Sequence, residues 1–343
     1  MARARVIRSG PFSTRWRVRT ALACALLAVV AGALGVVLLG TGTLAFTPAE
    51  VVGGLLGVDD DATAGRVILR IRLPRLVTAI VVGASLGMAG SIFQSISRNP
   101  LGSPDVVGFT TGAATGAIVQ IVLFGAGPLE TALAPVAAGL ATAVVVFLLS
   151  MKARATGGYR LVLVGIGVGA ILSGINTVLL VMGDLDQAMS AQLWLAGSLN
   201  ARSWAHAVPA AVGFILILPI AIAQARRVDL LEMGDDAARQ LGVPVERTRL
   251  AMVMAAVALT SIATAAAGPI AFVALAAPQL ARRVTGSPGV PLVSGALTGV
   301  ALLLGADLLS QRLPLDATMP IGLTTGLLGG LYLLWLLARS RRI

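Results

Sequence analysis

Of 343 residues, 57% are hydrophobic and only 12% are charged, a balance that no soluble domain of this size carries. The formal net charge of +11 comes almost wholly from arginine, Lys152 being the only lysine. Nucleic-acid binding, the usual reading of a basic chain, is set aside because the arginines sit in short loops between apolar runs, where membrane topology accounts for them.

In chain order, residues 1–20 form a basic tail and 21–343 a single transmembrane domain. The first apolar run, 21–40, is about twice the length of a signal-peptide core and predicts an uncleaved first membrane helix. Cys24, the single cysteine, lies in it, which excludes a disulfide framework and a thiol metal site. Further apolar runs of spanning length fall near 76–97, 107–124, 132–151, 161–183, 206–225, 250–268, 270–284, 291–309 and 320–338. The expectation is an all-α polytopic membrane protein of about ten helices, with 191–200 a half-helix that does not cross. Gly- and Ala-rich stretches such as GASLGMAG (83–90) and GIGVGAILSG (165–174) let helices approach closely and predict a tightly packed bundle. A faint echo between AGSIFQ (89–94) and AGPIAF (267–272), and between GSPDVVGFTTGA (102–113) and GSPGVPLVSGAL (286–297), suggests duplicated halves.

One stretch interrupts the apolar pattern: RRVDLLEMGDDAARQLGVPVERTR, residues 226–249, with five arginines and five carboxylates. DDAARQL predicts a short helix with acidic residues at its N-terminus, stopped by Gly242 with Pro244 beyond it. VDLLEM predicts a second, weaker helical turn, so two short helices joined at Gly234 would make a polar knob. A solvated loop and a docking surface for a partner both fit the charges; the length and the glycine punctuation favour docking. With an even number of spans, 20 of the 26 basic residues fall on the side of this knob and both termini. That bias places the knob and both termini in the cytoplasm.

Catalytic chemistry is not legible. There is no H-E-x-x-H, nucleophile elbow, Cys/His cluster or P-loop, and His206 is an isolated residue beside a membrane run. Neither catalytic residues nor metal ligands are expected, and the chain does not itself hydrolyse nucleotide. An ion-coupled secondary transporter would place carboxylates inside the membrane, whereas Asp105 and Asp307 lie at segment ends and Asp184 and Asp186 at an outer boundary. A transporter lacking both devices must borrow its energy. Asn99-Pro100 and Gly268-Pro269 interrupt apolar sequence, and breaks of this kind line a cavity or are buried in protein.

IRLPRLVTAIVVGASLGMAGSIFQSISRNPLGSPDVVGFTTGA (71–113) resembles the signature of the iron-siderophore (FecCD-type) permease family of ABC importers, which includes the vitamin B12 permease. The likeness continues through AQLWLAGSL (191–199), LLEMGDDAARQLGV in the knob, AAGPIAFVALAAPQLARRVTG (266–286), GADLLSQRL (305–313) and MPIGLTTGLLGGLYLLWLL (319–337). The resemblance implies a ten-helix permease working as one of a pair around a central path. It also implies two cytoplasmic ATPase subunits, which carry the ATP and Mg, and an extracytoplasmic substrate-binding protein. Ferric siderophores are the implied cargo, with haem or vitamin B12 as alternatives, and no cofactor is bound by this chain. Gly234, Asp235, Ala238, Arg239, Leu241 and Gly242 match the ATPase-coupling motif. Arg72 and Arg75 match arginines that meet glutamates on the binding protein. The third such arginine falls at Gln311, with Arg312 one residue on. Gln279 and Thr318 stand where the family often has His and Glu.

Overall fold

The computed structural model describes residues 5–9, 12–56, 62–125, 128–152, 155–156, 158–312 and 319–340. Its helices are α1 (Val18–Gly40), α2 (Pro48–Leu56), α3 (Ala62–Val67), α4 (Leu73–Ser97) and α5 (Phe109–Leu123). They continue with α6 (Pro128–Ser150), α7 (Gly158–Met182), α8 (Leu185–Leu195), α9 (Trp204–Glu232) and α10 (Asp235–Gln240). The last four are α11 (Val245–Ala267), α12 (Val273–Thr285), α13 (Leu292–Arg312) and α14 (Ile321–Ser340). Within the basic tail, Arg5–Ser9 and Phe12–Trp16 pair as an antiparallel hairpin, and Met151–Lys152 pairs with Ala155–Thr156 in the turn between α6 and α7. Residues 1–4, Arg154, Thr318, Arg341 and Arg342 lie outside the described residues.

Among the described residues, seven helical spans are long and apolar enough to cross a membrane unaided: α1, the continuous helix ending in α4, α6, α7, α9, α11 and α13. Of the other three expected, α5 has 15 residues and α12 has 13. At 1.5 Å per residue these reach only about 20 Å, short of roughly 30 Å of hydrocarbon. Non-helical chain, 98–108 before α5 and 268–272 before α12, extends each of them. Unpaired backbone at such depth is tolerated only where protein covers it. Half-helix α8 sits between two spans, as expected from the sequence, although it begins and ends earlier than 191–200.

The bundle is built around α4, whose residues from Thr78 to Ile96 are buried except for Ile80. Small residues make this possible. A Cβ on Gly83 would lie 2.7 Å from the Gly299 carbonyl oxygen of α13, and Cβ atoms on Gly87 and Gly90 would overlap the Gly295 and Ala274 carbonyls. The GxxxG spacing on α4 thus meets the GxxxG of antiparallel α13 backbone to backbone.

Three local features differ from the sequence reading. VDLLEM is not a separate helix but the last turns of α9, because nothing between Ala225 and Leu230 breaks the helix and charged residues merely solvate it. α2 was not anticipated, although Thr47 and Glu50 form a capping box (Thr47 N–H to Glu50 Oε2, 2.6 Å; Glu50 N–H to Thr47 Oγ1, 3.3 Å) with Pro48 at the first helical position. Finally, α3 runs into α4 through a π-helical stretch, Ile68–Arg72. Pro74, which has no N–H to donate, follows at once, and the widened turn rotates Arg72 relative to α3. Of the two echoes, the GSP pair falls on the similar connections α4–α5 and α12–α13, whereas AGSIFQ is helix interior and AGPIAF a helix break.

Candidate functional site

The knob is organised from within. Gly234 (φ +115°) and Gly242 (φ +79°) bracket α10 in backbone regions that a side chain would strain, so the helix folds back on the end of α9. Ala238, fully buried, packs with Leu231, Val243 and Val245 as a small apolar core. Beside it Arg249, with a side chain only 2% exposed, donates from one Nη to both oxygens of Asp235 at 2.8 Å and from the other to Glu246 at 3.2 Å. Arg98, capping α4 in the left-handed region, reaches the same Asp235 at 3.4 Å. Arg282 of α12 pairs with Glu232 at 2.6 Å and bonds Ser95 Oγ at 2.9 Å, while Asp229 accepts the Val290 N–H at 2.7 Å. Charge-assisted bonds therefore tie the knob to α4, α11, α12 and the 286–291 connection. Pointing outward are Met233, Asp236, Arg239 and Leu241; the Asp236 side chain is 94% exposed and Leu241 60%.

Above the knob a cavity of about 400 Å³ is lined by Gln94, Arg98, Asn99, Pro100, Glu232, Gln279, Arg282 and Arg283. Gln279, standing where the resembled family often has histidine, donates Nε2–H to the Pro100 carbonyl at 2.8 Å and lies 3.4 Å from the Tyr332 hydroxyl. It holds the 98–108 chain against α12 and α14.

At the opposite end, Arg75 closes on Asp307 of α13 with Nη2 at 2.6 Å and Nε at 3.3 Å, and its Nη1 donates to Asn200 Oδ1 at 2.8 Å. Gln311 also donates to Asp307, at 3.1 Å, and Asp307 is buried. Arg72 donates to the Leu39 carbonyl at 2.6 Å and to that of Leu44, with its guanidinium 4.8 Å from the Phe46 ring centroid. Both arginines border a cavity of about 330 Å³. Arg312 is exposed at the same end.

Between the two ends three chain breaks meet. Ser198 N–H bonds the Ala267 carbonyl at 2.7 Å where α8 ends and α11 ends. Gly197 (φ +66°) and Gly268 (φ +75°) lie so close that a Cβ on Gly268 would sit 2.5 Å from the Trp194 carbonyl oxygen, and one on Gly322 of α14 would sit 2.9 Å from that of Pro269.

A family model for the FecCD transport family matches residues 23–339. This chain belongs to that family. Among its relatives, the ferric enterobactin transport system permease protein of Escherichia coli K12 is 46% identical over 94% of this chain and 98% of its own length. The Fe(3+)-citrate import system permease protein of Bacillus subtilis 168 is 35% identical over 96% of this chain and 98% of its own. A transporter assigned to the metal-chelate ABC type, solved in an inward-facing conformation, superposes with a TM-score of 0.83 at 28% identity, covering 93% of this chain and 99% of the other.

As a FecCD permease, then, the chain is a multi-pass membrane transport protein, and its signature residues separate into three places. Gly234, Asp235, Ala238, Arg239, Leu241 and Gly242 are together in the knob, but Asp235 and Ala238 face inward and shape the surface that Arg239 and Leu241 present. Met233 and Asp236 share that surface and were missed, although helical period alone puts 236 opposite the buried 238. Asn99 and Pro100 join the knob-side cavity, whereas Gly268 and Pro269 belong to the central junction. Arg72, Arg75 and Arg312 cluster at the far end, the first two already engaged within the chain. Of the four carboxylates weighed for ion coupling, Asp307 is paired with Arg75, Asp105 lies outside the helices and accepts the Thr110 hydroxyl, and Asp184 and Asp186 stand at the start of α8.

Proposed function

We propose that this chain is the membrane subunit of an ABC importer that carries ferric siderophores inward across the cytoplasmic membrane, powered by separate ATPase subunits that dock on the knob. The observation that carries the reading is 46% identity, over nearly the whole of both chains, to a ferric enterobactin permease. The charge bias supports a cytoplasmic knob and cytoplasmic termini. The extracytoplasmic binding protein then docks at the far end, on Arg312 and the accessible edges of Arg72 and Arg75. A second permease chain, alike or related, completes the central path.

The geometry supplies a route for the work. Closure of the ATPase pair pushes on Met233, Asp236, Arg239 and Leu241. Because Arg249 and Arg282 bond the knob to α11 and α12, the push moves both helices as one body. α11 leads from the knob to the Gly268 break and α12 leads back, so the displacement arrives where α8 and α14 meet them. Alternating access follows from shifting those four chain segments against each other.

Leu241→Glu tests the docking. Leu241 is exposed, so the chain should fold normally, whereas co-purification with the ATPase should fall at least tenfold and uptake should fall with it. Unchanged association would remove the knob from the interface.

A further inference from the structure

α14 leans on α12 and α13 along a cleft, a cavity of about 100 Å³ walled by Ala276, Leu280, Leu302, Ala306, Leu328 and Tyr332. Among the described residues, no charged one lines it. A Cβ on Gly329 would overlap the Phe272 ring, so this glycine lets α14 settle onto the aromatic floor. One turn further toward the knob, Leu280 leads to Arg283 and Tyr332 leads to Trp335. There the Arg283 guanidinium lies 5.8 Å from the Trp335 ring centroid, and the Tyr332 and Trp335 rings are 6.2 Å apart. Arg19 of α1 donates to the Val284 and Arg283 carbonyls at 3.2 and 3.3 Å, which brings a second guanidinium against the same helix end. Among the described residues neither Arg19 nor Arg283 pairs with a carboxylate, and Glu232, which shares a cavity with Arg283, is taken by Arg282.

An apolar slot at membrane depth thus opens on a rim with two cations and two aromatic rings, at the level where Trp and Tyr favour headgroups. We propose that this cleft is a binding site for an anionic phospholipid of the knob-side leaflet, with one acyl chain along α12 and α14 and the phosphate on Arg283 and Arg19. An apolar helix or an uncharged lipid would fill the slot but leave both guanidinium groups without an anion. A phospholipid with net negative charge meets both demands.

The test is fluorescence quenching of the full-length chain in nanodiscs of phosphatidylcholine containing a minor fraction of lipid brominated on the acyl chain, either phosphatidylglycerol or phosphatidylcholine. The Trp335 signal is the difference between the wild type and Trp335→Phe. Brominated phosphatidylglycerol should quench it at least about fivefold more effectively than brominated phosphatidylcholine, and Arg283→Gln combined with Arg19→Gln should bring the two to parity. Equal quenching of the wild type would make the cleft ordinary bilayer contact. Quenching by neither lipid would mean that protein covers it. A preference that survives in the double variant would show that these arginines do not hold the headgroup. Each of those three results overturns the proposal, and none depends on cargo or orientation, because a nanodisc presents both leaflets alike.

Discussion

Replacing Arg249 with methionine is expected to melt the knob while leaving the membrane helices folded. The Arg249 side chain is 2% exposed and makes two 2.8 Å bonds to Asp235. Without it Asp235 retains, among the described residues, only the ion pair with Arg98 at 3.4 Å, and the small core of Leu231, Ala238, Val243 and Val245 loses its electrostatic frame. Removing one partner from such a pair costs about 3–5 kcal/mol. Hydrogen exchange of the backbone amides across 233–246 should therefore accelerate by two orders of magnitude or more, while the interior of α4 remains protected. ATP-dependent uptake should fall at least tenfold. Asp235→Leu in the Arg249→Met background removes both charges and should restore part of the protection, because the penalty lies in the orphaned charge. Unaltered exchange in Arg249→Met would show that the ion pair does not hold the knob.

The second large effect is expected at Gly87. Its Cβ position overlaps the Gly295 carbonyl of α13, and the neighbouring contacts at Gly83 and Gly90 are also with backbone, which cannot rotate aside as a side chain would. Gly87→Leu must force α4 from α13 along the most buried helix of the bundle. Overpacking commonly costs 1–3 kcal/mol, and a contact with backbone belongs at or beyond the top of that range. The apparent Tm in detergent should drop by about 4 °C or more, with poor recovery of folded protein. Gly305 provides the control: it lies on the same helix α13, and a Cβ there meets nothing within 4 Å, so Gly305→Leu should leave Tm within about 2 °C. Equal behaviour of the two variants would mean that glycine content, and not close approach, sets the stability.

How much of this was legible in the sequence depended on what kind of signal each residue carries. Seven of the ten expected spans are, among the described residues, long apolar helices that hydropathy picks out because lipid demands long apolar runs. The runs at 107–124 and 270–284 instead hold shorter helices joined to non-helical chain. Their packing was visible only as a surfeit of glycine; that Gly83 meets Gly299 and Gly87 meets Gly295 is a matter of register between segments some 200 residues apart, which no local pattern encodes. The knob was recognisable from its charges and from Gly234 and Gly242, but its inner and outer residues were not sorted. Asp235 and Asp236 look alike in sequence; one is turned to Arg249 and the other to solvent. Arg72 and Arg75 read as outward-facing cations because their partners, the Leu39 and Leu44 carbonyls and Asp307, arrive from distant segments. The capping box of α2 was written plainly as TPAE and passed over in favour of the longer apolar runs.

The central claim is that this permease moves a ferric chelate with energy borrowed through the knob. It is tested most directly in proteoliposomes containing this chain, its cognate ATPase and its binding protein, by uptake of a panel of ferric siderophores, haem and cobalamin with and without ATP. The expected result is accumulation of a ferric siderophore that requires both ATP and the ATPase and that disappears in Leu241→Glu. Accumulation that persists when the ATPase is omitted would contradict the account and return attention to Asp105 and Asp307 as ion-coupling carboxylates.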